Sequence, residues 1–281
     1  MSAVPWQPVL GLAGFNVALD LPSHCWWESL VDRLGHFAVN ETPDAFLCVQ
    51  ITAPMPETDD REPRVFQDAR GLHLKHDQYF GTVCHPDEAV LQVATAPNTL
   101  PDATFPMAVD GLLRLLLAQL LQRTGSLMLH AAGLIGPQRK GYIFFGPSGS
   151  GKTTMCKLSD PQFPVLCDEL IAIRLDREVP TLYSTPFAGA WGKSFPGHCA
   201  LAGLYRLRHA PQTQVEDLSP SRAIREILES MVYYDQSPTG LSQSLEIAAH
   251  LAQAVPVREL AFLPEAAVWQ TIAHQNQPAI G

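Results

Sequence analysis

The sequence has few basic residues and no block of them. It contains 19 Lys and Arg against 28 Asp and Glu, which gives a formal net charge of −9 with histidine neutral. Proteins that bind nucleic acid or an anionic membrane surface carry clustered positive charge. We therefore expect neither a nucleic-acid partner nor a membrane partner.

Paired cysteines are missing too. The six cysteines are scattered, without the short spacings of a structural zinc site or the density of a disulfide framework. Reduced thiols in the cytosol are the simplest interpretation. Residues 1–20 contain Pro5 and Pro8 and have no basic stretch ahead of an apolar one, so they do not have the features of a signal peptide. We expect a cytoplasmic protein.

Long uninterrupted apolar runs are also absent. The longest apolar segment, residues 112–121, is broken by Arg114 and Gln119 and is shorter than the roughly 20 residues that a membrane span requires. Apolar residues nevertheless make up 46% of the chain, which is enough to bury a substantial core. The sequence therefore predicts a soluble globular protein.

The pattern of the sequence changes near residue 105. Before that point, prolines and short alternating apolar stretches predict short strands joined by turns, and residues 100–105 are typical of a linker. From Pro106 to Gly125, apolar residues recur at helical spacing and predict a core helix. We expect an α/β protein with a smaller, mixed, strand-rich N-terminal domain in residues 1–105 and a second domain in residues 106–281.

The second domain is predicted to alternate strands with helices. Continuous apolar runs favour buried strands, and they occur at residues 127–135, 141–145, 165–167 and 257–263. Helical patterns, one of them with Ser219 as an N-cap, occur at residues 152–158, 219–234 and 264–274.

A glycine-rich motif directly follows the strand predicted at residues 141–145. It fits G-x-x-x-x-G-K-[ST] at every fixed position, and its residues are Gly146, Pro147, Ser148, Gly149, Ser150, Gly151, Lys152 and Thr153. Glycines let the backbone amides of such a loop turn inward, and the helix that follows directs its positive end to the same place. This combination predicts a P-loop for the phosphates of a nucleoside triphosphate.

The motif also assigns roles within the predicted nucleotide site. Lys152 is expected to reach the β- and γ-phosphates, and the Thr153 hydroxyl is expected to ligate magnesium. Thr154 completes the predicted nucleotide-binding set. ATP and Mg²⁺ are therefore the predicted cofactors.

An acidic partner is expected at the end of a neighbouring strand, where ligands of open α/β sheets bind. Asp168 and Glu169 follow the apolar run at residues 165–167 and could hold the metal or accept a proton, although a solvated turn between two strands is the alternative. His130 ends the run at residues 127–129, beside the strand of the P-loop. Taken alone, a histidine in such a place is more often a hydrogen-bonded core residue than a catalytic one.

The order of His130, the P-loop and the acidic pair resembles the kinase domain of the HPr kinase/phosphorylase family, which shares a nucleotide-binding fold with phosphoenolpyruvate carboxykinase. The resemblance is strongest in residues 129–173 and weaker to the end of the chain. Residues 129–133 look especially like the small HPr-kinase-like proteins of peptide-maturation gene clusters. The resemblance implies that Asp168 is the base for an acceptor serine hydroxyl, that Glu169 supports magnesium and that His130 lines the site.

The sequence also departs from that family. Glu169 stands where the bifunctional enzymes carry a second aspartate, and their glycine- and arginine-bearing segment for oligomer contacts and dephosphorylation has no clear counterpart here. Phosphorylase activity is therefore not expected. Residues 1–100 do not match the regulatory domain of those enzymes, which argues against their phosphocarrier protein as the substrate. The tendency of the family to form oligomers implies a homo-oligomer.

The leading hypothesis is an ATP-dependent kinase that phosphorylates a hydroxyl of a peptide, a protein or a small molecule, with serine as the expected acceptor. The alternatives are a nucleotide-dependent binding module without phosphotransfer and a carboxykinase-like enzyme. A transport ATPase is disfavoured because no LSGGQ-like segment is present and the acidic pair lies too close to the P-loop. Lys193 is a weaker candidate for a phosphate or carboxylate contact.

Overall fold

The computed structural model describes residues 6–52, 62–85, 87–94, 103–160, 162–192, 194–265 and 267–275. They form two compact units. The first comprises Met1–Arg123 with Tyr233–Ser237, and the second comprises Thr124–Val232 with Pro238–Gly281. Each unit combines a mixed β-sheet with helices, which confirms the mixed α/β class.

The described residues of the first unit form an eight-stranded sheet. Its strands are β1 (Val9–Leu12), β2 (Phe15–Asp20), β3 (Ala38–Val39), β4 (Ala45–Thr52), β5 (Arg64–Asp68), β6 (Gly71–His76), β7 (Tyr79–His85) and β8 (Glu88–Ala94). They lie in the order β3-β1-β2-β4-β8-β7-β6-β5. The strand β4 runs parallel to both β2 and β8, and the other neighbours are antiparallel. Two short helices, α1 (His24–Glu28) and α2 (Val31–Leu34), follow β2.

The helix α3 (Phe105–Arg123) belongs to the first unit and packs on β6, β7 and β8. Phe105, at its start, makes an edge-on contact with Trp26, with ring centroids 4.8 Å apart. The two units therefore divide after Arg123, whereas the sequence predicted a boundary at residue 105; residues 100–102 of the predicted linker lie outside the described part. By length and composition α3 could cross a membrane, but 61% of its most apolar window is buried, as in a core helix.

In the second unit, nine strands lie within the part of the chain that the structure describes. They are β9 (Leu127–Ile135), β10 (Gly141–Phe145), β11 (Val165–Cys167), β12 (Leu170–Arg174), β13 (Thr181–Tyr183), β14 (His198–His209), β15 (Gln214–Asp217), β16 (Met231–Val232) and β17 (Val257–Phe262). The main order is β10-β9-β12-β13-β14-β17-β15, and β11 and β16 both pair with β9. The strand β14 lies parallel to β10 and to β17. The helices are α4 (Lys152–Ser159), α5 (Pro220–Ser230), α6 (Pro238–Ala254) and α7 (Val268–Gln275).

An aromatic core holds the P-loop strand β10 in place. The Phe144 ring lies 5.6 Å from the rings of both Tyr205 and Trp269, and the three side chains are almost fully buried. The indole Nε1 of Trp269 donates a hydrogen bond of 2.9 Å to Ser159 Oγ, which ties α7 to the end of α4. Both elements that flank the glycine-rich motif are therefore anchored by packing in the interior.

Most of the elements predicted in this unit are confirmed, and the differences have tertiary causes. The strands β9, β10 and β11 have their predicted bounds. The helix predicted to reach residue 234 ends at Ser230, because Met231 and Val232 pair with Leu129 and Met128 of β9. The helix α6 was not predicted, and α7 begins four residues later than expected, at Val268.

Candidate active site

The glycine-rich motif forms a loop between β10 and α4, as predicted. Three of its residues have positive φ angles that favour glycine: Gly146 at 144°, Gly149 at 78° and Gly151 at 107°. The loop turns back on itself, and Ser150 N donates a hydrogen bond of 3.1 Å to Pro147 O. The helix α4 then begins at Lys152, so its first amides lie beside the loop.

The Lys152 side chain folds back over this loop. Its Nζ donates hydrogen bonds to Gly146 O at 2.9 Å and to Pro147 O at 3.4 Å. Burial lowers the pKa of Lys152 below its ordinary value, although the negative charge of Glu169 acts in the opposite direction. A partly buried ammonium that borders a loop of this shape is suited to an anionic ligand.

The strand β9 brings the other predicted residues to the same place. On one side of β9, Phe145 of β10 pairs with Ala131, so the glycine-rich loop leaves the sheet next to His130. On the other side, β11 and β12 are interrupted by Asp168 and Glu169, and Ala131 N donates a hydrogen bond of 3.0 Å to Glu169 O. The acidic pair and the loop therefore meet across His130 and Ala131.

Asp168 is a buried residue, 3% exposed, and its carboxylate is held by two hydrogen bonds. Its Oδ1 accepts a hydrogen bond of 2.8 Å from Gly189 N, and its Oδ2 accepts one of 2.6 Å from Trp191 N. Each carboxylate oxygen has two lone pairs, so both retain a site for a further donor. The alternative of a solvated turn is wrong for Asp168, because its side chain is buried and hydrogen-bonded.

Glu169 and His130 are more exposed than Asp168. The His130 Nδ1 lies 3.6 Å from Glu169 Oε1, and the two side chains are 47% and 33% exposed. His130 is thus not a buried core histidine. Gly189 passes so close that an added Cβ would lie 2.7 Å from Glu169 Oε2 and 3.2 Å from Asp168 Oδ2. The backbone at Gly189 therefore restricts both carboxylates.

Replacing Gly189 by alanine is expected to displace the Glu169 carboxylate, because the new methyl group would overlap it. If Glu169 contributes to metal binding, the affinity for MgADP should fall about tenfold, while the affinity for ADP in EDTA stays unchanged. Gly192→Ala is the control for a methyl group added to the same loop without overlap, since a Cβ at Gly192 would meet nothing within 4 Å. Its φ of 69° strains the alanine, so this control should lose some stability but keep its affinity for MgADP. Equal affinities of the Gly189→Ala and wild-type proteins for MgADP would contradict this prediction.

These side chains line one cleft of about 770 Å³. Its lining includes the following predicted site residues: His130, Gly146, Pro147, Ser148, Gly149, Gly151, Lys152, Thr153, Thr154, Asp168 and Glu169. Ser150 instead lies within the loop, where its buried Oγ has no hydrogen-bond partner among the described residues. Lys193 lies outside the described residues. The structure thus brings the predicted residues together, and their chemical roles remain predictions.

Several residues of the cleft were not predicted. They are Ala190, Arg206, His209, Glu226, Glu229, Ser230, Met231 and Val232. The His209 ring stacks on Phe262 and its Nε2 donates a hydrogen bond of 2.9 Å to Gly149 O, which supports the loop from β14. The alternating pattern of residues 203–208 could have indicated a strand, but nothing in it shows that this strand lies beside β10.

The donors in the cleft fit a magnesium ion. Within the described ranges, no three or more His, Cys, Asp or Glu side chains are arranged to hold a metal ion. Magnesium in phosphotransfer sites does not require such a cage, because one or two carboxylates, a hydroxyl and the phosphates of the substrate suffice. Thr153, Asp168 and Glu169 supply donors of these kinds in one cleft.

Comparison with known proteins yields one kind of match. No protein-family model and no curated protein matches this chain. Among solved structures, a structure of the Hpr(Ser) kinase/phosphatase from Coxiella burnetii is similar over 53% of this chain and 95% of that chain, with 10% sequence identity and a TM-score of 0.31.

Proposed function

We propose that this protein is an ATP- and Mg²⁺-dependent kinase that transfers the terminal phosphoryl group to a hydroxyl of a peptide, a protein or a small molecule, with serine as the favoured acceptor. One observation carries this proposal. The glycine-rich loop with its lysine and the buried, oriented carboxylate of Asp168 line the same cleft. Phosphoryl transfer requires mainly positioning and charge neutralisation, and these groups can supply both.

The residues have distinct roles in this reaction. The loop amides and Lys152 bind the phosphates. The oxygen of the acceptor hydroxyl bonds to the terminal phosphorus while the bond from that phosphorus to the ADP oxygen breaks, and Asp168 accepts the proton that the hydroxyl loses. Magnesium, held by Thr153 with Asp168 and Glu169, would neutralise charge on the phosphates. His130 borders Glu169 and faces the same cleft, which supports a role in orienting that carboxylate.

The sequence supports a finer proposal. The motifs in residues 129–173 favour a nucleotide-binding domain of the HPr kinase and phosphoenolpyruvate carboxykinase type, which in that family is often oligomeric. All six cysteines are free, as is usual for a cytoplasmic protein. The acidic net charge favours an acceptor other than nucleic acid and a location away from membranes.

The test is Asp168→Asn, assayed with MgATP and a panel of hydroxyl-bearing peptides and small molecules, with phosphate gain measured by mass spectrometry. We expect the transfer rate to fall about 10²- to 10⁴-fold, as for loss of a general base, while ADP still binds. Asp160→Asn, at the exposed end of α4, is the control and should transfer phosphate normally. Full transfer by Asp168→Asn would place the base elsewhere.

A second function is favoured by the hydrogen bonds of Asp168. Its two carboxylate oxygens accept hydrogen bonds from the backbone amides of Gly189 and Trp191. In a nucleotide-dependent binding module, an aspartate could hold the conformation of a loop in the same way without taking part in phosphoryl transfer. In that case no acceptor would gain phosphate from the wild-type protein. Instead, ATP would change the hydrogen-exchange rates of the Gly189 and Trp191 amides, which report the state of this loop.

A further inference from the structure

Arg206 lies next to the start of the glycine-rich loop. It is on β14, which runs parallel to β10, and it pairs in register with Phe145, the last residue before the loop. Strands that run parallel end at the same edge of a sheet, where phosphate ligands of α/β proteins bind. Arg206 lines the cleft together with Lys152 and Asp168, and its side chain is 21% exposed.

Two buried glutamates hold the guanidinium of Arg206. Its Nε donates a hydrogen bond of 2.5 Å to Glu226 Oε2, and its Nη1 lies 3.7 Å from Glu259 Oε2. The two glutamate side chains are only 8% and 9% exposed. These two contacts restrain the planar guanidinium through Nε and Nη1, and a guanidinium has five N–H groups, so others remain for a further partner.

These glutamates do not depend on Arg206 alone for their charge balance. Glu259 also accepts hydrogen bonds from Arg208 and Arg222, and Arg222 and Arg225 each lie 3.6 Å from Glu226 Oε1. Burial raises the pKa of Glu259, but the hydrogen bonds from Arg208 and Arg222 outweigh burial and hold that pKa below its ordinary value.

The surplus of charge in this cluster is positive. Four guanidiniums face the two buried carboxylates and the exposed Glu229, which pairs with Arg225 at 3.8 Å. Buried carboxylates are costly unless they are paired, and here each of the two is paired with more than one arginine. Here the arrangement sets one oriented guanidinium at the wall of the cleft, beside a loop that is suited to phosphate.

We propose that Arg206 contacts the terminal phosphate of the bound nucleotide and that Glu226 is the positioning residue that orients it. This inference rests on nucleotide binding in the proposed function. Arg206 adds a second cation to Lys152 and approaches from the neighbouring strand. It neutralises charge on the phosphoryl group during transfer, as arginines do in other phosphotransfer sites.

The test compares the affinities for ADP and for a non-hydrolysable ATP analogue in Arg206→Gln, Arg206→Lys and Arg208→Gln. Arg208 is the matched control, because it is on the same strand and shares Glu259 but is absent from the cleft lining. In Arg206→Gln, the preference for the triphosphate should fall about 10- to 100-fold, the value of one or two charge-assisted hydrogen bonds. The triphosphate preference of Arg206→Lys should lie between those of Arg206→Gln and the wild type, and Arg208→Gln should keep the wild-type preference.

The outcomes separate this inference from the kinase proposal. If Arg206→Gln keeps the preference for the triphosphate, or if its affinities for ADP and for the ATP analogue fall by the same factor, the inference is overturned and the kinase proposal stands. If the preference is lost but the wild-type protein phosphorylates no acceptor, the inference holds and the kinase proposal fails. Absence of nucleotide binding by the wild-type protein would overturn both. Thermal unfolding of Arg206→Lys and Arg208→Gln checks that the arginine cluster still folds.

Discussion

Replacing Lys152 by methionine is expected to lower phosphoryl transfer at least about 10³-fold. The substitution keeps the length of the side chain but removes the only charge of the glycine-rich loop. Loss of a charge-assisted hydrogen bond to phosphate should weaken ATP binding about 10- to 100-fold. The rest of the effect should appear in the transfer step, because charge on the terminal phosphoryl group is largest there.

The free protein should tolerate this change. Burial lowers the pKa of Lys152 despite the charge of Glu169, so the ammonium is not in its most favourable environment without an anion. We therefore expect similar free energies of unfolding for Lys152→Met and the wild type in the absence of nucleotide. Lys157→Met, an exposed site in the last turn of α4, is the control. Normal transfer by Lys152→Met would contradict the predicted site.

Replacing Gly151 by alanine should destabilise the second unit by about 3 kcal/mol. Gly151 has a φ of 107°, which L-residues rarely adopt, and an added Cβ would lie 2.7 Å from Phe262 Cζ. The Phe262 ring is fully buried, so it cannot move away without disturbing the core. Urea unfolding in the absence of nucleotide measures this effect directly.

Gly149→Ala separates backbone strain from overlap at the same loop. Gly149 has a φ of 78°, but a Cβ there would meet nothing within 4 Å. We therefore expect a smaller loss of about 1 kcal/mol, from the left-handed backbone alone. Equal effects of the two alanines would show that contact with Phe262 is not what restricts Gly151.

The chemistry-bearing motif was predictable because it is local in sequence. The strand β10, the glycines with positive φ angles and the start of α4 at Lys152 follow one another in the chain, so spacing and residue type were enough. Asp168 and Glu169 could be proposed because a carboxylate after a buried strand fits a rule about sheet edges. That His130 stands between the glycine-rich loop and the acidic pair depends on strand pairing within the sheet, which the sequence does not show.

Other features depended on contacts between distant segments. Regular apolar spacing predicted α3 correctly, but its packing on β6, β7 and β8 placed it in the first unit. The end of α5 at Ser230 followed from the pairing of Met231 and Val232 with β9, which overrides local helix propensity. Glu226 on α5 and Glu259 on β17 are far apart in sequence, and their ion pairs with the arginines form only when the fold brings these two elements together.

By itself, the sequence determined the α/β class, the glycine-rich loop with Lys152, and the candidate acids, because each is encoded by residue types at short spacings. The tertiary structure alone decided which strand stands beside which. It thereby set Asp168 against the amides of Gly189 and Trp191 and brought Arg206 to the wall of the cleft. Hydrogen bonds between strands join residues tens of positions apart, and no local pattern specifies those partners.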